Sequence, residues 1–135
     1  MNELFSPEWM QAYLEQWNAE PELTDTLERI NFNSTIGYGF TNTATPTGVL
    51  TVENGWAIKA GPYTNQALNW DLRATPKDWQ KWQAKGLSMM GLSMAYMSGK
   101  LKFEVGDYSS MIKDPRMVGP FLKSFSVMGR VLSHV

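Results

Sequence analysis

A chain of 135 residues leaves room for one folded unit, and its 43% apolar and 19% charged content is that of a globular protein, neither disordered nor membrane-embedded. Twelve Lys and Arg oppose thirteen Asp and Glu spread along the chain, so there is no broad positive footprint for a phosphate backbone and nucleic acid is not an expected partner. Cysteine is absent, which removes disulfides, thiolate metal sites and thiol nucleophiles and leaves the core to hold the fold.

The start, Met1 to Pro7, lacks the basic stretch and apolar centre of a secretion signal, and no apolar run reaches the roughly 20 residues of a membrane span, so a cytoplasmic location is expected. Ser6-Pro7-Glu8 reads as a helix start: a capping hydroxyl, proline in the first turn and an acid beside it. Trp9, Tyr13, Leu14 and Trp17 then recur at helical spacing, and Leu23, Leu27 and Ile30 repeat the pattern after Pro21. From residue 31 the period changes to two. Phe32, Ile36, Tyr38 and Phe40 alternate with Asn33, Thr35, Gly37 and Gly39, the pattern of a half-buried strand; its glycines either admit a close backbone approach or, the plainer expectation, thin an exposed face.

Thr45-Pro46-Thr47-Gly48 is turn chemistry, and Val49 to Val52 reads as a strand before an Asn54-Gly55 hairpin signal. The returning strand is expected to hold Trp56 and Ile58 inward, opposite Lys59. After a break at Gly61-Pro62, a further strand places Leu68, Trp70 and Leu72 on one face and Asn69, Asp71 and Arg73 on the other. Thr75-Pro76-Lys77-Asp78 opens a short helix with Trp79 and Trp82, ended by Gly86. A helix follows from about Leu87 to Met97, closed by Gly99. Leu101, Phe103 and Val105 then alternate inward, Asp107 caps a short helix with Met111 and Ile112, and a last helix after Asp114-Pro115 carries Val118, Phe121, Leu122, Phe125, Met128 and Leu132. The expected class is α+β: about five strands in a mixed, mostly antiparallel sheet, with helices on one face and water on the other.

Little in this sequence supports catalysis. Its one histidine, His134, lies at the end of the chain, so a serine-based or cysteine-based triad and most transition-metal sites cannot be assembled. Asp71 and Glu104 fall on expected solvent faces, and the Gly99-Lys100 pair is followed by Leu101 where a phosphate loop needs Ser or Thr. No catalytic residue, metal or cofactor is expected. Six of nine methionines do cluster at Met89, Met90, Met94, Met97, Met111 and Met117. Methionine fills irregular space and adapts to varied apolar partners, but a methionine stripe is ordinarily core, and composition does not separate the two readings. Trp56 and Trp70, read as inward on their strands, suit a pocket wall, whereas Trp9, Trp17, Trp79 and Trp82 suit pinning helices to the sheet.

Asp71-Leu72-Arg73-Ala74-Thr75-Pro76-Lys77-Asp78-Trp79, followed by Met94-Ala95-Tyr96-Met97-Ser98-Gly99-Lys100-Leu101-Lys102, resembles the signature half of sterol carrier protein type 2 domains in order, spacing and intervening length. The match runs over residues 67–113, and the first half fits in element order. The resemblance implies a stand-alone, prokaryotic-type domain over residues 1–135. Its sheet and helices would enclose an apolar cavity for a fatty acid, acyl-CoA, sterol or similar lipid. Carried over by position, the wall would comprise Trp56, Ile58, Leu68 and Trp70 of the sheet, Met90, Met94 and Met97 of the middle helix, Phe103, Met111, Phe121 and Phe125. The implied protein is a non-catalytic carrier, a monomer or homodimer touching membranes transiently, or alternatively an accessory module of membrane-associated lipid or quinone biosynthesis acting through protein contacts. Two departures stand out. Gly106-Asp107 comes one residue later than in many relatives, which predicts a bulge at that strand end, and Ser133-His134-Val135 is not a proper peroxisomal address.

Overall fold

The structure is a computed structural model that describes residues 3–132; His134 and the terminal tripeptide lie outside the described residues. Six helices and five strands follow the order α1 (Pro7–Asn18), α2 (Pro21–Glu28), β1 (Ser34–Phe40), β2 (Gly48–Glu53), β3 (Trp56–Pro62), β4 (Trp70–Ala74), α3 (Pro76–Lys85), α4 (Met89–Met97), β5 (Lys102–Val105), α5 (Tyr108–Lys113) and α6 (Pro115–Leu132). Helix starts sit where short polar side chains can take up a free backbone N–H. Ser6 Oγ accepts from Trp9 N at 3.2 Å, Thr75 Oγ from Asp78 N at 3.2 Å and Asp107 Oδ1 from Ser110 N at 3.2 Å. Ser88 caps α4 in the same way, and Glu20 caps α2 through its carboxylate.

The sheet has the strand order β3-β2-β1-β4-β5. β1 pairs antiparallel with β2 and parallel with β4, so Ile36 and Tyr38 stand beside Trp70 and Leu72 on the helix-covered face. At the hairpin, Asn54 and Gly55 both take positive φ (50° and 84°), the conformation that two-residue turns of this kind require. β3 departs from simple alternation. Its pairing steps from Thr51–Lys59 to Val52–Ala57, leaving Ile58 as an extra residue. Trp56 pairs with outward-facing Glu53 and Ala57 with buried Val52, so Ala57 is buried and Trp56 exposed, and the bulge leaves Ile58 exposed too, opposite to the inward placement expected for Trp56 and Ile58 from alternation. The bulge expected near Gly106 is present: Leu72 pairs with Phe103 but Asp71 with Val105, and Val105 is turned out to solvent.

The other sheet face is not simply wet. Gly37 and Gly39 are buried under the loop joining β1 to β2, and a Cβ on Gly39 would lie 3.0 Å from the Pro46 Cα. These glycines therefore admit a close backbone approach and do not thin an exposed face. Asp71 and Arg73, expected at the surface with Asn69, are buried there as a bidentate ion pair (Nε to Oδ1 2.7 Å, Nη2 to Oδ2 2.9 Å). Arg73 Nη1 also donates to the Thr43 carbonyl at 2.7 Å and ties the loop down. Leu68, expected inward, precedes β4 and lies over this same far face against Gly37.

The core between sheet and helices is largely aromatic. Phe5, Trp9, Tyr13, Tyr38, Trp79 and Phe125 are fully or almost fully buried, and Trp79 stacks on Phe125 with ring centroids 5.9 Å apart. α6 packs against α1, α2, α3 and α5, which makes it the keystone of the helical layer.

Candidate functional site

Between the apolar face of the sheet and the helical layer lies a partly open cleft. Its floor is built from Ile36 and Tyr38 of β1 and Trp70 and Leu72 of β4, the in-register parallel pair at the centre of the sheet. Met111 of α5 and Met117, Pro120, Phe121 and Ser124 of α6 face them, and Trp17, Leu27 and Phe32 complete the wall. The cavity itself is about 40 Å³, within about 450 Å³ of atom-free space that includes the open mouth. A cavity of that size has room for a few water molecules and is too small for a lipid. A longer apolar guest requires the wall to give. Unbranched Met111 and Met117 suit that, and Pro120, which has no N–H, weakens the helical ladder of α6 beside them.

Among the described residues no acid, lysine, arginine or histidine lines the cleft; its polar side chains are the hydroxyl-bearing Tyr38 and Ser124 and the indoles of Trp17 and Trp70, of which Trp17 Nε1 is committed to the Gly55 carbonyl at 3.0 Å. The Tyr38 hydroxyl lies 3.2 Å from that of Tyr13, and Ser124 Oγ donates to the Phe121 carbonyl at 2.6 Å. Burial drives both phenols above the ordinary tyrosine range; for Tyr13 the adjoining Tyr38 adds to the rise and a hydrogen bond with Ser124 opposes it. Both therefore stay neutral at physiological pH. Among the described residues no three His, Asp or Glu side chains gather as a metal site would require. The arrangement can shelter apolar surface and offer one or two neutral hydrogen bonds.

Of the wall expected from the sequence, the structure brings Trp70, Met111 and Phe121 to the cleft. Phe103 is half-buried just behind it, its ring 6.0 Å from that of Trp70 and 5.9 Å from that of Phe121. Phe125 is fully buried between α3 and α6, where it backs Phe121 but does not reach the space. Leu68 lies on the opposite face. Trp56, Ile58, Met90, Met94 and Met97 are all exposed and form no part of the cleft. For the methionines the reason is physical: α4 has no charged residue, so periodicity cannot tell its inner face from its outer one, and it is Leu92 and Ala95 that are buried.

Several other wall residues carry a signal of burial in the sequence, though none that marks a site. Ile36 and Tyr38 share one parity on β1 with Phe32 just before it, Leu72 shares that of Trp70, and Trp17 and Leu27 lie on apolar helix stripes. Met117 belongs to the methionine cluster. Pro120 and Ser124 gave no signal, because neither residue type marks the inner face of a helix.

No family model matches the sequence, and no curated protein matches it. Solved structures do. One described as the crystal structure of sterol carrier protein 2 superposes with a TM-score of 0.73 at 19% identity, over 94% of this chain and 98% of that one. A conserved protein of Thermus thermophilus, solved in solution and described as a candidate sterol carrier protein, gives 0.68 at 18% identity over 96% and 90%. A ubiquinone synthesis protein described as UbiJ-SCP2 gives 0.57 at 11% over 92% and 88%. The element order, the central parallel strand pair and the near-complete mutual coverage make this the sterol carrier protein 2 fold.

Proposed function

We propose that this chain is a single lipid-binding domain that holds an apolar guest non-catalytically in the cleft between the β1/β4 floor and α6. The observation that carries this reading is the lining itself: twelve residues with no ionisable acid or base apart from a tyrosine held neutral, floored by Trp70 and roofed by Met111, Met117 and Phe121. Burying an acyl chain there contributes about 0.8 kcal/mol per CH₂, which over some ten carbons reaches micromolar affinity without directed chemistry. The Ser124 and Tyr38 hydroxyls are the candidate contacts for a carboxyl or hydroxyl head.

Delipidated protein is expected to bind a fluorescent fatty acid or acyl-CoA with one-to-one stoichiometry, and Ser124→Leu, which extends a branched chain into the cleft, to reduce occupancy at least ten-fold. Overpacking costs typically 1–3 kcal/mol, so the folded state of the variant is checked by near-ultraviolet circular dichroism. Failure to bind any of a broad lipid panel, or unchanged occupancy in folded Ser124→Leu, refutes the reading. Mass spectrometry of lipid copurifying with the protein would identify the guest. The likeness to UbiJ-SCP2 supports a second reading, an accessory module in quinone or lipid biosynthesis. It predicts a stable protein partner in a pull-down and no preference for free lipid.

A further inference from the structure

Charge is distributed unevenly in a way the total conceals. Between Asp78 and Glu104 the sequence holds Lys81, Lys85, Lys100 and Lys102 and no acid. In a chain of net −1 these four positive charges leave −5 for the remainder. The same stretch contains α4, whose sequence MMGLSMAYM lacks any charge and whose Met90, Met94 and Met97 follow one another at i, i+4 and i+7. These three side chains are 74, 66 and 84% exposed, and Met89 and Tyr96 beside them are also exposed. Next to this ridge is a recess of about 330 Å³ between the end of α3 and α4, lined by Lys81, Lys85, Lys100, Ser88, Ser98 and Met94 and containing no acid. None of the lysines forms an ion pair with a described residue.

We infer that α4 and its lysine rim form a docking face for an anionic phospholipid membrane, with the methionine ridge entering the boundary between headgroups and acyl chains and the lysines meeting lipid phosphates. Three features select this occupant. The apolar side chains protrude as a ridge, whereas a partner helix is received in a groove. Flexible methionine suits a fluid apolar surface. A second copy of the chain on the same face would set Lys81, Lys85 and Lys100 against their own counterparts, which costs affinity, while an anionic surface attracts them and repels the net-negative remainder, orienting the molecule. Since α4 lines no part of the cleft, this face stands independently of what the cleft holds.

The test uses the full chain in cosedimentation with vesicles of phosphatidylcholine alone or with about one-third phosphatidylserine. Stronger partitioning onto the anionic vesicles is expected, reduced by high salt. Each lysine near an anionic surface contributes about five-fold, so Lys81→Glu/Lys85→Glu/Lys100→Glu should bind on the order of a hundred-fold more weakly. Met90→Gln/Met94→Gln/Met97→Gln, all at exposed positions, should lose at least about ten-fold. The absence of cysteine permits single labels: an environment-sensitive fluorophore on Met97→Cys should shift to the blue with anionic vesicles, and one on Lys59→Cys, on the opposite edge strand, should not. Vesicle binding that ignores lipid charge, survives both triple variants or shifts only the Lys59→Cys label overturns the inference. A methionine-dependent dimer without vesicle binding overturns it too and gives the face to a second copy.

Discussion

Replacing Gly129 by alanine pits two local effects of opposite sign against each other. In an isolated helix the change is favourable by about 1 kcal/mol, because alanine is the better helix former. In α6, however, the added Cβ would lie 2.2 Å from the backbone carbonyl oxygen of Gln83 in α3, where no side-chain rotation can relieve it. The two helices must separate by about 1 Å to restore an ordinary contact, and a gap of that size forfeits a quarter to a half of the dispersion between the atoms it parts. Those atoms include Trp79 and Trp82, packed on Phe125 at centroid distances of 5.9 and 6.0 Å. Because the clash is with backbone, the overpacking cost falls in the upper part of its usual range, about 2–3 kcal/mol; less the propensity gain this leaves a net loss of about 1–2 kcal/mol, and at roughly 4 °C per kcal/mol the midpoint should fall by about 4–8 °C. Thermal and urea unfolding, followed by near- and far-ultraviolet circular dichroism, measure it directly. An unchanged or raised midpoint with a coincident transition in both signals would mean that α3 and α6 are not in contact here, and the account of how α6 is held over the cleft would fall with it.

Arg73→Met should cost about 3–5 kcal/mol by urea unfolding, because it strands the buried Asp71 carboxylate and the Thr43 carbonyl; substituting Asp71 by leucine in the same chain should recover part of the loss, and a double variant no more stable than Arg73→Met refutes the pairing. Glu20 is held below the usual carboxylate range by the Glu22 amide and by Arg130 at 2.7 Å. Its folded pKa lies below the unfolded one, so its contribution is present above the unfolded value and vanishes as pH falls through the folded value; Glu20→Gln should lower stability at neutral pH and flatten the acid limb of urea midpoint against pH. Tyr13 and Tyr38 present the reverse case for alkali: with folded pKa values raised, they favour the folded state less as pH climbs above the unfolded value near 10, and their ionisation, followed by ultraviolet absorbance, should coincide with alkaline unfolding.

Local chemistry made most of the fold legible in the sequence. Ser6, Thr75 and Asp107 marked helix starts because an N-terminal backbone N–H needs an acceptor nearby, and the alternation of Ile36, Tyr38, Trp70 and Leu72 fixed the inner face of the sheet at its centre. The site was less legible because its composition depends on parity and depth, which are tertiary properties. The two-residue turn pairs Trp56 with outward-facing Glu53, one extra residue leaves Ile58 outside as well, and nothing in the alternation of β3 announces either. Helix α4 is apolar on every side, so only its packing reveals that Leu92 faces in and Met94 faces out. Asp71 and Arg73 look like surface charges until the 41–47 loop folds over them, an event that a local pattern cannot encode.

The place of α6 in the helical layer has a consequence for biosynthesis. The five strands lie between residues 34 and 105, whereas the helix that bears on α1, α2, α3 and α5 spans 115–132. A nascent chain thus completes its sheet while the α6 side of the cleft, Met117, Phe121 and Ser124, is still missing, and Trp70 and its neighbours stay open on that side until α6 has left the ribosome. Stalled chains that end near residue 115 should be captured by chaperones more than chains released with α6 complete.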